Sequence, residues 1–202
     1  MSGATETVRP GPGTRGFFSA AEPYVATPLQ LIRSSGLGPD EPIIDVSGAD
    51  SFMADALLAA GYRDVTVLDR SAEALNALRE RAANLAQHLW LVAADVTHFH
   101  PMRRYSLWHD CGEFHLLAYP EERQQYVEVL QEALQPEGHA VISTYGPEAP
   151  HQWRGQGYSV LTLPAELGTQ FELMEHALQA YQTPLGERQQ YLHCRFCRHA
   201  PH

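Results

Sequence analysis

Carboxylates recur where apolar runs end. Asp45 lies within Ile43-Ile44-Asp45-Val46, Asp69 closes Val65-Thr66-Val67-Leu68, and Asp95 follows the run His88–Val92. Acids at successive strand ends can accept hydrogen bonds from ribose hydroxyls and from a base edge. Between the first two lies Ser47-Gly48-Ala49-Asp50-Ser51, a small-residue turn that lets backbone approach a ligand. Strand, turn, helix, second strand and acid form the layout of a nucleoside-binding crevice. A pyrophosphate on the helix N-terminus is repelled by Asp50. The turn therefore favours a phosphate-free nucleoside, and a positive charge on that nucleoside is tolerated or helped.

A second group can do acid–base work. His109 and Asp110 end the apolar run Tyr105–His109, and His115 follows five residues later. In an open parallel sheet, that end of a strand faces the bound ligand. The three are candidates for substrate contact or for a general base, against the plainer reading that Asp110 caps the next turn and His115 packs on it. Cys111 reads as a small buried hydrophobe before a nucleophile. His193, Cys194, Cys197 and His199 resemble a metal half-site, but strand positions three apart point to opposite faces, and no second cysteine pair exists. No metal is expected. Trp153 and Tyr158, in a loop with Gly155 and Gly157, read as an aromatic lid or as an ordinary anchored loop.

The elements that must position these residues follow from periodicity. Residues 1–16 are rich in Gly, Pro and Thr and read as a disordered tail, with one domain over 17–202. Phe17 to Leu37 reads as a helical lead-in broken at Pro23 and Pro28. Strands are expected at Ile43–Val46, Val65–Leu68, His88–Val92, Tyr105–His109 and His139–Thr144. Helices around Met53–Ala60, after Ser71, and from Glu121 to Leu134 separate them, and Pro136-Glu137-Gly138 reads as a turn. Phe171–Tyr181 and Gln189–Arg198, joined by Thr183-Pro184-Leu185-Gly186, read as an antiparallel hairpin. The expected architecture is α/β: a three-layer sandwich around a mostly parallel seven-stranded sheet with a C-terminal antiparallel hairpin.

Composition narrows the classes. The 202 residues are 44% hydrophobic and 19% charged, as in soluble globular proteins. A net charge of −10 without a basic stripe argues against nucleic acid as a partner. No apolar run reaches a membrane span, so no membrane partner is expected. Three cysteines are too few for a disulfide framework, which makes a reducing, cytoplasmic setting the default.

The ordered set Ile43–Ser51, Val65–Ser71, Ala94-Asp95-Val96-Thr97, Leu107-Trp108-His109-Asp110 with Phe114–Leu117, Leu134–His139 and Tyr191–Arg198 resembles the class I S-adenosylmethionine-dependent methyltransferases, of the small single-domain kind that acts on small molecules. The resemblance implies S-adenosylmethionine as cofactor, a small-molecule methyl acceptor, and a monomer or homodimer. It implies a cofactor site of Asp45, Ser47, Gly48, Ala49, Asp69, Arg70, Asp95 and Val96, with Asp69 on the ribose and Asp95 and the Val96 backbone on the adenine. His109, Asp110 and His115 then border the transferable methyl group. Two features depart from the family. Ser47, Ala49 and Ser51 stand where its turn usually carries glycines, and Cys111-Gly112-Glu113 follows the fourth strand in place of an Arg with small or apolar residues. The alternative is a catalytically silent protein of this fold that acts through cofactor or protein contacts.

Overall fold

A computed structural model describes residues 17–148, 155–182 and 188–200, with side chains from Val25 onward. The tail over residues 1–16, Trp153 and the Thr183–Gly186 turn lie outside the described residues. The elements run α1 (Phe17–Ser34), β1 (Ile43–Val46), α2 (Met53–Ala59), β2 (Val65–Asp69), α3 (Ala72–Ala82), β3 (Leu89–Ala93), β4 (Tyr105–Cys111), α4 (Pro120–Ala133), β5 (Leu134–Tyr145), α5 (Thr162–Leu167), β6 (Phe171–Gln182) and β7 (Arg188–Arg198). Seven strands form one sheet in the order β3-β2-β1-β4-β5-β7-β6. Only β7 runs antiparallel to its neighbours, pairing β5 on one side and β6 on the other.

Strand β1 is buried at all four positions, because helices cover both faces of the sheet. On one face α1, α2 and α3 pack Ile32, Met53, Leu57 and Leu78 against Ile43, Val65, Val67, Leu107 and Val141. On the other, α4 and α5 pack Tyr126, Leu130, Leu163 and Leu167 against Ile44, Trp108, Ile142 and Phe196. Chain order reverses between β1 and β4, so the crossovers diverge there and open a crevice at the strands' carboxyl ends.

Three local expectations are corrected. Helix α1 runs unbroken through Pro23 and Pro28. Each proline removes a backbone donor, but the helix is held against the sheet edge by Thr27 Oγ1 bonded to Gln179 and Ser34 Oγ bonded to Glu175 at 2.5 Å. The Pro136–Gly138 segment is a bulge within β5. Tyr105 pairs with Leu134 and Leu107 with His139, leaving Gln135–Gly138 opposite Ser106 alone. Finally, β3 begins at Leu89, after a 3-10 turn over Ala83–His88. Local pattern carries none of the pairing that decides these three cases.

Candidate functional site

The turn after β1 holds two non-glycine residues with left-handed backbone, Ser47 at φ 52° and Phe52 at φ 59°. Such angles need support from outside the turn. The Ala49 amide donates to Asp69 Oδ2 at 3.2 Å, and the Ala49 carbonyl accepts from Arg81 at 3.1 Å. Arg81 of α3 also grips Asp55 and lies over the Phe52 ring, 4.8 Å from its centroid. Gly48 is required for a different reason: a Cβ there falls 2.2 Å from Asp45 Oδ2. The turn is thus laid directly onto the Asp45 carboxylate.

Asp45 itself is fully buried, and its Oδ1 lies 2.6 Å from His109 Nδ1. Adjacent positions in parallel register bring the pair together across β1 and β4. The expectation placed Asp45 beside the cofactor and His109 beside the acceptor; the structure joins them as one dyad. Asp69 stands at the rim, with Oδ1 accepting from the Ser71 amide at 2.9 Å. Asp95 caps a 3-10 turn through the Thr97 amide and hydroxyl at 2.9 and 2.7 Å, and Val96 is buried within that turn. Burial alone raises the Asp95 pKa, but the Thr97 bonds and the neighbouring Arg70 outweigh it and leave the carboxyl below its ordinary value.

Arg70 and Glu113 tie the rim together. Arg70 lies 3.4 Å from Asp95 and 2.7 Å from Glu113, and Glu113 accepts from Ser47 Oγ at 2.5 Å. A strap of side chains therefore crosses the tips of β1, β2 and β3 from the β4 loop. The sequence reading noted Glu113 only as a departure from pattern. An acid facing Arg70 across the strand tips is the one signal available, and it has no meaning until the fold sets the two loops side by side.

Asp110 is corrected. It lies on the opposite face of β4 from His109, as strand alternation demands. Its carboxylate accepts from the amides of Gly112, Glu113 and Phe114 and from the Tyr126 hydroxyl at 2.7 Å, which in turn accepts from Trp108. Burial drives its pKa up to about 6, against these donors. It caps a 3-10 turn under α4 and points away from the crevice.

His115 follows the reading more closely. It is buried on the His109 side, 4.0 Å from Tyr145 between ring centroids, and the Gly155 backbone closes over it. Tyr191 lies 5.3 Å from Tyr145 and stacks at 6.2 Å on His193, whose Nδ1 lies 2.7 Å from Ser143 Oγ. His193 shares the face of His109 because Ser143 and Val141, two residues apart on β5, pair with His193 and Arg195. The reading considered His193 only as a metal ligand; buried Cys194 faces the other way. Tyr158 is buried against Phe114, 5.5 Å between centroids, as an anchor of its loop.

Burial pushes His115 down to about 4, opposed by a hydrogen bond to the Ser143 backbone. Burial and then neighbouring His109 push His193 down to about 4 as well. Both stay neutral in the folded chain, whereas the unfolded chain takes up protons below about pH 6.5. Their stabilisation is complete above that pH and is lost as pH falls toward 4. Asp110 opposes them, because the folded chain binds its proton from about pH 6 downward. Two histidines outweigh one carboxyl, so moving from about pH 7 to about pH 5 is expected to lower the unfolding free energy by about 2 kcal/mol. Urea midpoints at the two pH values check this, and equal midpoints contradict it.

No protein-family model and no curated protein sequence matches the chain. Solved structures do. The N-methyltransferase NodS from Bradyrhizobium japonicum WM9 superposes with a TM-score of 0.74 over 93% of this chain and 100% of its own, at 18% identity. The 1,6-didemethyltoxoflavin-N1-methyltransferase of Burkholderia thailandensis, solved with S-adenosylhomocysteine, gives 0.72 over 93% of this chain and 83% of its own, at 18% identity. The glycopeptide N-methyltransferase MtfA, also with S-adenosylhomocysteine, gives 0.67 over 86% and 89%, at 15% identity. The chain has the class I S-adenosylmethionine-dependent methyltransferase fold. Among the described residues, no helix is long and apolar enough to cross a membrane.

Proposed function

We propose that the chain transfers a methyl group from S-adenosylmethionine to a small-molecule nucleophile. The observation that carries this is Asp69, a carboxylate clasped to the glycine-poor turn through the Ala49 amide. Each of its oxygens accepts one backbone bond, which leaves acceptor positions for two ribose hydroxyls. Asp95 and Val96 border the adenine in this reading, Arg70 lies between the two acids, and Ser47, Gly48 and Glu113 frame the methionine end. The Glu113 carboxylate suits the ammonium and sulfonium charges there. When bound, S-adenosylmethionine supplies a methyl group already activated on a positive sulfur.

What remains for the protein is positioning, exclusion of water and a place for the nucleophile's proton. Asp45 holds His109 through Nδ1, so Nε2 is the nitrogen directed to receive that proton. The test is calorimetry of the full chain with S-adenosylhomocysteine. Binding is expected, and Asp69→Ala is expected to weaken it by about 1.5–3 kcal/mol, the worth of hydrogen bonds to a charged group. Unchanged affinity in the variant places the ribose elsewhere.

One observation favours a second reading, a catalytically silent protein of the same fold. The strap of Ser47, Glu113, Arg70 and Asp95 spans the crevice that the cofactor must enter. Binding without turnover across thiols, amines and carboxylates selects that reading.

A further inference from the structure

The row of side chains beside the dyad says what kind of acceptor the site takes, and this inference rests on the methyl-transfer reading. His109 is fully buried, its Nδ1 is taken by Asp45, and its Nε2 has no hydrogen-bond partner. His115 is buried to all but 3% of its surface, bonds the Ser143 backbone, and leaves its Nδ1 without a partner. A buried polar atom left unpaired costs about 1–3 kcal/mol, so two of them at one edge of the sheet are unusual in a settled core. Both histidines border the same ring cluster: His115 meets Tyr145 and Tyr191, and Tyr191 stacks on His193, the neighbour of His109.

The chemistry of this row is one-sided. With Nδ1 of His109 donating to Asp45 and the other nitrogen of His115 donating to a backbone carbonyl, the two unpartnered nitrogens present lone pairs. A ligand that satisfies them has to bring hydrogens. A carboxylate or phosphate brings none, and its charge is set beside Asp45 and Glu113. The nearest arginine at the rim, Arg70, is already committed to Glu113 and Asp95. An amine brings two or more N–H donors on one atom, and half-exposed Tyr145 and Tyr191 offer ring faces that attract a partly positive nitrogen.

We propose that the edge formed by His109, His115, Tyr145 and Tyr191 is the acceptor subsite and that it takes a primary or secondary amine, whose N–H groups donate to His109 Nε2 and His115 Nδ1. The anchor is the pair of imidazole lone pairs, and the tyrosines set the apolar wall. Shape beyond the nitrogen is left to the loop over His115.

The test uses the wild-type full chain, so no variant has to fold. Nitrogen resonances of histidine are followed by NMR, with 15N-histidine incorporated, as benzylamine, benzyl alcohol or benzoate is added. Benzylamine is expected to shift the His109 Nε2 and His115 Nδ1 resonances and to bind at least tenfold more tightly than benzoate, about 1.4 kcal/mol. Absence of those shifts at millimolar benzylamine, or equal or stronger shifts with benzoate, overturns the amine assignment. S-adenosylhomocysteine is titrated separately by calorimetry. If it fails to bind while benzylamine still shifts the two nitrogens, the methyl-transfer reading falls and the amine subsite stands.

Discussion

Gly48→Ala is expected to destabilise the chain by about 3 kcal/mol or more and to abolish the Asp69 clasp on the turn. The added Cβ arrives 2.2 Å from Asp45 Oδ2 and 2.4 Å from Cγ, so something has to shift. Asp45 cannot give way, because it is fully buried and bonded to His109. The turn has to lift instead, which separates Ala49 from both Asp69 and Arg81. Overpacking of this kind costs roughly 1–3 kcal/mol, and the lost hydrogen bonds add to it. Gly36→Ala is the control. Gly36 has φ 76° with open space around its α-carbon, so it loses only the conformational allowance of glycine, about 1 kcal/mol. Urea unfolding of the two variants separates collision from backbone strain. Equal losses contradict the close approach of the turn to Asp45.

Asp45→Ala is expected to lose about 3–5 kcal/mol, because it strands a fully buried imidazole without its partner. His109→Ala strands the carboxylate in the same way. Removing both leaves a cavity but no orphan, so the double variant is expected to be less destabilised than the sum of the singles by about 2 kcal/mol or more. Asp45→Asn keeps an oxygen to accept from Nδ1 and is expected to be the mildest of the set. A double-mutant cycle with no measurable coupling would falsify the dyad. The same cycle bears on chemistry, since only a held imidazole presents Nε2 in one direction.

Much of the fold was legible from residue order. Apolar runs closed by acids, amphipathic stretches between them and two long half-apolar runs at the end dictate a parallel sheet finished by a hairpin. The structure has that sheet, with all seven strands. Ser71 as helix cap was legible too, and its hydroxyl accepts from the Ala74 amide. Ser47 with a left-handed backbone was not. Nothing local says that Arg81, 34 residues on, will hold such a turn in place.

The sequence by itself determined which residue types stand at the carboxyl ends of the strands, because burial periodicity and turn chemistry are local and survive in one dimension. Tertiary structure alone decided their partners. Asp45 meets His109, Glu113 meets Arg70, and Asp110 turns to Tyr126, each through strand register or the meeting of loops from distant elements. A one-residue change of register moves a side chain to the other face of the sheet, which is why His109 and Asp110, neighbours in the chain, have opposite fates.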